Sequence, residues 1–167
     1  MLKKILIFLM GITLLSGAND LNESKFKSKI DLSKKLDPVY RIDVTKNPRF
    51  NAFIELADGT KITFCCPKAM FDLYLRPYMY REFKIKKESD FKKLYVTDYL
   101  TGKKIDAKKA LYIFGSKLVG PKGDDLIPVK DETTSQLFRL KYGGSRVLTF
   151  GEVVKKGMGL IKYLDMP

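Results

Sequence analysis

Two adjacent cysteines, Cys65 and Cys66, are the residues of this chain best suited to bind a ligand or to react. Thiolates suit soft ions such as Cu(I), which accepts two or three sulfur ligands. Met70 follows Cys66 by about one helical turn, so its thioether could reach the same point. The sequence therefore predicts a soft-metal site at these three residues. The alternative is a pair of buried small hydrophobic residues with Met70 as core filler.

Histidine is absent from the chain, and this narrows the possible chemistry. Without it, His-ligated zinc, Cys-His nucleophile pairs and Ser-His-Asp triads are excluded. Asp124 and Asp125 follow a Gly-Pro loop, but two carboxylates supply far fewer oxygens than calcium requires. We interpret that loop as a turn and predict no catalytic residues.

The cysteine pair lies where a strand is expected to pass into a helix. Residues 61–64 have strand character, and Pro67 stands at the favoured first helical position, with Cys66 before it as the cap. The helix should end near Arg76, before Pro77. Because a helix start favours negative charge, we expect a lowered thiol pKa there. The apolar face of this helix is predicted from its spacing at Met70, Phe71, Tyr74 and Leu75.

The remaining pattern predicts an α+β fold of two small strand-strand-helix-strand units. The first unit covers residues 37–92, and the second covers residues 93–167 and ends in a helix. A residue pair such as Asp58-Gly59 is typical of a hairpin turn, and Asp131 is typical of a helix cap. Further strands are predicted at residues 50–56, 94–100, 110–115, 126–129 and 146–150, and helices at 131–142 and 152–164.

The first 18 residues have the three-part layout of a secretory signal peptide. Lys3 and Lys4 precede an apolar run at residues 5–15, and small residues follow to Ala18. The apolar run is short for a membrane span, although a retained N-terminal anchor stays the alternative. We therefore expect a periplasmic protein with no stable membrane span after cleavage, and a flexible leader at residues 19–36.

The net charge is strongly positive. The chain has 32 Lys and Arg against 19 Asp and Glu, a formal charge of +13. Cleavage after Ala18 removes Lys3 and Lys4, which lowers 32 to 30 and the charge to about +11. Such a surface favours acidic partners or anionic lipid headgroups. The alternative is a set of solvated lysines, and nucleic acid is not an expected partner of an exported protein.

Residues 94–116 give the chain a family resemblance. They predict two strands joined by a Thr101-Gly102 turn and a short basic connector. With the motifs further along, they resemble the NosL family of copper-handling lipoproteins. The motifs are Tyr95-Val96-Thr97-Asp98-Tyr99, Ile105-Asp106-Ala107, Gly115-Ser116, Gly120-Pro121 with Gly123, Leu126-Ile127-Pro128, and Gly143-Gly144 with Val147-Leu148 and Phe150.

The resemblance implies a non-enzymatic accessory protein with a fold shared with the organomercury lyase MerB. It implies Cu(I) binding in the periplasm and assembly of a copper enzyme such as nitrous oxide reductase. The client would be a copper enzyme or a copper transporter.

The chain departs from the family pattern where the family's sulfur ligands are expected. NosL proteins typically open with Cys-Pro-x-Cys-Gly-Met, whereas residues 37–42 read Asp-Pro-Val-Tyr-Arg-Ile. The family's Gly-Pro-Met-Gly loop is Gly-Pro-Lys-Gly at residues 120–123. Three hypotheses stay open: a copper protein with relocated ligands at Cys65 and Cys66, a copper-free scaffold that binds an acidic protein, and a thiol enzyme with MerB-like chemistry.

Overall fold

Two antiparallel sheets and three helices make up the fold that a computed structural model describes for residues 35–166. The predicted signal peptide, residues 1–18, lies outside the described residues. So does the predicted leader, residues 19–36, except for its last two residues. None of the helices in residues 35–166 is long and apolar enough to cross a membrane.

The first sheet has the strand order β2-β1-β3-β4. Alternation along β1 turns Ala52, Ile54 and Leu56 into the core, as expected for a sheet with one buried face. Helix α1 packs on that buried face. The elements are β1 (Ala52–Leu56), β2 (Lys61–Phe64), α1 (Pro67–Leu75), β3 (Phe91–Thr97) and β4 (Lys104–Asp106).

The second sheet has the strand order β6-β5-β7. Its helix α2 packs against β5 and β6, and the final helix α3 packs against α1. The elements are β5 (Leu111–Phe114), β6 (Ile127–Val129), α2 (Glu132–Tyr142), β7 (Arg146–Thr149) and α3 (Phe150–Leu164). Both halves therefore contain the strand-strand-helix-strand order, and the predicted α+β fold is confirmed.

The strand β4 was not predicted. We expected residues 103–109 to form only a connector, but Ile105 pairs with Val96 and extends the first sheet. Lys104 and Asp106 are exposed on this edge strand, so the segment lacks the apolar alternation that marks a strand. Because β3 and β4 both pair within the first sheet, that sheet crosses the predicted boundary between residues 92 and 93.

Helix α1 is buried more completely than predicted. We expected one apolar face, but every residue from Pro67 to Leu73 is buried. The helix lies between the first sheet on one side and α3 on the other, so both of its faces are covered. Tyr74 and Leu75, which we predicted to face the core, are only half-buried.

The side chain of Lys68 joins α1 to two distant parts of the chain. Its Nζ donates to the carbonyl oxygens of Lys122 at 2.8 Å and Leu164 at 3.0 Å. It also pairs with Asp165 Oδ1 at 2.9 Å and lies 5.5 Å from the centre of the Tyr40 ring. Lys68 is fully buried, and these contacts replace the water that its ammonium group loses. They hold the start of α1 in place.

We expect Lys68→Met to lower the free energy of unfolding by about 3 kcal/mol, because the buried carbonyl groups lose a charged donor. Chemical denaturation measures this change. The matched control is Lys130→Met, since the exposed Lys130 pairs with Asp131 at 3.3 Å on the surface. The control should change stability by less than about 1 kcal/mol. Equal effects of the two substitutions would contradict a structural role for the Lys68 contacts.

Candidate soft-metal site

Cys65 and Cys66 lie between the end of β2 and the start of α1, as predicted. Their Sγ atoms are 3.6 Å apart, and both thiols are free. Only 1% of Cys65 and none of Cys66 is exposed to solvent. Cys66 precedes the helix in an extended conformation, but its side chain does not cap the helix. The pair is therefore close enough to act together but closed to solvent.

Asp125 provides the cap that Cys66 does not. Its Oδ1 accepts a hydrogen bond from the backbone N–H of Lys68 at 3.0 Å, in the first turn of α1, and another from Leu126 at 2.8 Å. This carboxyl group lies beside the Cys66 thiol, and burial raises its pKa to about 6. Its Oδ2 is buried and has no hydrogen-bond partner among residues 35–166.

Asp37 lies in the corresponding position beside Cys65. Its Oδ2 accepts a hydrogen bond from the backbone N–H of Tyr40 at 2.5 Å. Burial raises the pKa of this carboxyl group to about 6, although contacts with Tyr40 and Cys65 lower it in part. Its Oδ1 has no hydrogen-bond partner within the described part of the chain. Each thiol of the pair thus has one buried carboxyl neighbour.

The expected lowering of the thiol pKa does not occur at Cys66. Burial raises the pKa of this thiol, and the neighbouring Cys65 and Asp125 raise it further. The prediction was wrong because it assumed an exposed thiol at the helix start. Asp125 already occupies the N–H of Lys68 there, and the loss of water around a buried thiolate outweighs the attraction of the helix start. Cys66 is therefore protonated at neutral pH.

Met70 lies one turn along α1 from Cys66 and is fully buried in the core. Its backbone N–H donates to the carbonyl oxygen of Cys66 at 3.3 Å. Within residues 35–166, no group of three or more Cys, Asp, Glu or His side chains is arranged to hold a metal ion. The proposed ligand set of Cys65, Cys66 and Met70 stays a prediction. Of this set, the structure shows that the two thiols lie next to each other.

Three distant segments meet at the cysteine pair. Asp37 belongs to the turn that opens the described chain, and Asp125 closes the loop at residues 120–125. In that loop, Gly120 and Gly123 exchange backbone hydrogen bonds, and the Lys122 carbonyl oxygen accepts from Lys68. Residues 37–42 and 120–123 are the two stretches where the sequence departs from the NosL motifs. The first stretch reaches Cys65 through Asp37, and the second contacts Lys68 through Lys122 and leads to Asp125 beside Cys66.

Sequence reasoning missed Asp37, Lys68 and Asp125 as parts of this site. Asp125 is 57 residues from the amide it caps, so no local pattern indicates the pairing. Lys68 did carry a signal: a lysine in the first turn is unfavourable next to the positive end of a helix. Such a residue in an otherwise apolar stretch indicates that its ammonium group has partners elsewhere.

The fold and the site together place the chain in a class of small two-sheet proteins, here with two adjacent free thiols at a strand-to-helix junction. The NosL family profile matches residues 33–158, about three quarters of the sequence, and the chain belongs to this family. It is similar to the crystal structure of the copper chaperone NosL from Shewanella denitrificans, with 19% identity and a TM-score of 0.59. That match covers 71% of this chain and 88% of the other, and shows a shared fold. Among curated proteins, none matches the sequence.

We expect the Cys66 thiol to react slowly with an alkylating reagent. The Cys65→Ser variant isolates this thiol, and at about pH 8 it should react at least about tenfold more slowly in the folded than in the urea-unfolded protein. Because burial raises its pKa, the rate in the folded state should keep rising above the pH at which an ordinary thiol is half ionised. Half-maximal reactivity below about pH 7 would instead indicate a stabilised thiolate.

Proposed function

We propose that this protein is an accessory protein that binds one Cu(I) ion at Cys65 and Cys66 and delivers it to a copper-requiring client. The observation that carries this proposal is the convergence of Asp37, the cysteine pair and the loop at residues 120–125. Family members typically carry sulfur ligands in the first and third of these segments. Here the sulfur atoms come from the second segment, so the donors change while their location in the fold is kept.

The chemistry of the pair suits a monovalent soft ion. Two sulfurs separated by 3.6 Å need only a small outward movement to accept Cu(I) between them. Binding must release the Cys66 proton, because that thiol is protonated when the site is empty. Met70 is the candidate for a third sulfur ligand. Burial keeps water away from the bound ion, and the site must open for transfer.

The proposed setting is the periplasm, and the proposed role is binding and delivery rather than catalysis. The signal-like sequence at residues 1–18 supports export, and the structurally similar protein from Shewanella denitrificans is a copper chaperone. A copper enzyme such as nitrous oxide reductase, or a copper transporter, is the proposed client. The setting, the role and the client are proposals that go beyond the family membership of the chain.

An anaerobic titration tests copper binding directly. The processed protein, residues 19–167, should take up one equivalent of Cu(I) in competition with a chelator of moderate affinity, and release at least one proton per ion. The Cys65→Ser/Cys66→Ser variant should lose this uptake. The matched control is Met79→Ser/Met166→Ser, which removes two exposed sulfurs and should keep it. Failure of the unmodified protein to compete with the chelator would end the copper proposal.

A second candidate function is a copper-free scaffold for an acidic protein. The near-complete burial of both thiols and the raised pKa of Cys66 favour it, since these properties also describe structural cysteines. In this case the excess of basic residues supplies the binding surface. The family fold is then retained without the metal.

The scaffold candidate predicts a partner that can be recovered without copper. Pull-down with the processed protein should retain an acidic protein, and raising the salt concentration should weaken the complex because the attraction is electrostatic. The Cys65→Ser/Cys66→Ser variant should retain the same partner. Binding that requires the thiols, or that does not change with salt, would contradict this candidate.

A further inference from the structure

The sulfur atoms of Cys65 and Cys66 are closer together than a regular backbone would place them. In a strand, the side chains of successive residues point to opposite faces, and in a helix they are about 100° apart around the axis. Here the two Sγ atoms are only 3.6 Å apart. The backbone between the end of β2 and the start of α1 therefore turns both sulfurs to the same side.

The pair belongs to neither of the elements that flank it. β2 ends at Phe64 and α1 begins at Pro67, so the two cysteines form the link between them. Cys66 has an extended backbone and its side chain does not cap α1; Asp125 accepts the hydrogen bond from the Lys68 amide instead. The Cys66 sulfur can thus bond to a neighbour without the loss of a helix cap.

Each cysteine has one possible disulfide partner within the chain. The sequence contains two cysteines, so an intramolecular disulfide must join Cys65 to Cys66. Burial disfavours a lasting bond to a second molecule, because 1% of Cys65 and none of Cys66 is exposed. Oxidation to a sulfenic or sulfinic acid, or capping by glutathione, adds atoms to the sulfur. A disulfide between the two cysteines adds none, so it is the oxidised form that suits the closed site.

We propose that Cys65 and Cys66 form a reversible disulfide with each other, with a small organic disulfide as the oxidant. One thiol loses its proton and attacks the oxidant, which releases one small thiol and leaves a mixed disulfide on the protein. The second thiol then loses its proton and attacks the protein sulfur of the mixed disulfide, which releases the other small thiol. The protein loses two electrons and two protons, and the oxidant gains them as two thiols.

Strain makes this bond easy to reduce again. Adjacent Cα atoms are about 3.8 Å apart, whereas about 4.4 to 6.8 Å is usual for the two residues of a disulfide. Strained disulfides have higher reduction potentials than structural ones and include the labile and regulatory ones. Burial slows both directions, since oxidant and reductant reach the sulfurs only when the site opens. The position of the equilibrium does not depend on that rate.

Oxidation removes both thiols that the proposed copper site requires. A disulfide sulfur has no proton to lose and cannot become the thiolate that binds a soft metal ion. The oxidised pair is therefore a metal-free state of the protein, and a reductant must act before copper binds. This consequence rests on the proposed function, whereas the disulfide itself does not.

Equilibration in a glutathione buffer without metal tests the disulfide independently of copper binding. The processed protein, residues 19–167, is brought to constant composition from the reduced and from the oxidised side, quenched with acid and weighed by mass spectrometry. It should lose two hydrogens and gain no glutathione. Because the fold holds the sulfurs together, the ratio of disulfide to dithiol should be at least about tenfold higher in the folded than in the urea-unfolded protein in the same buffer.

Chemical denaturation checks the same factor by a second route. A tenfold preference of the disulfide for the folded state raises the free energy of unfolding of the oxidised protein by about 1.4 kcal/mol. The controls are Cys65→Ser and Cys66→Ser, which should take up glutathione readily when unfolded and little of it when folded. Equal ratios in the folded and unfolded protein, no loss of hydrogens, glutathione retained on the folded unmodified protein, or a less stable oxidised protein would overturn the proposal.

Discussion

The buried ammonium group of Lys68 is the constraint on which the candidate site depends. A fully buried lysine is costly unless its charge is paired and its hydrogens are donated. Here the partners come from the loop at Lys122 and from the end of α3 at Leu164 and Asp165. Because Cys66 stands two residues before Lys68, fixing this lysine also fixes the cysteine pair against the second half of the molecule.

Local signals in the sequence predicted the elements well where the cause is local. The start of α1 at Pro67 and the cap of α2 at Asp131 were both found, and Asp131 Oδ1 accepts from the Thr134 amide at 2.8 Å. The strand β4 was not predicted, because its stability comes from pairing with β3 rather than from its own composition. The 3₁₀ turns after α1 were not predicted either, because they are held by contacts with distant residues, such as the burial of Phe83 in the core.

The candidate site shows where sequence reasoning stops. It located the cysteine pair correctly at a strand-to-helix junction, because composition and Pro67 indicate that junction. It failed on protonation, since burial depends on the whole fold. Burial is the main cause of the raised pKa of the Cys66 thiol, and Cys65 and Asp125, the latter from the other half of the chain, raise it further. The family motifs, by contrast, could be recognised because each consists of residues that are close together in the sequence.

The cap that Asp125 places on α1 has a consequence for synthesis. The N–H groups at the start of this helix lack their final acceptor until the polypeptide is complete through residue 125, and the Lys68 ammonium lacks its acceptors until residue 165. The first half alone is consequently a poor folding unit. Asp125, which lies beside the Cys66 thiol, thus reaches this site only after most of the chain has been synthesised.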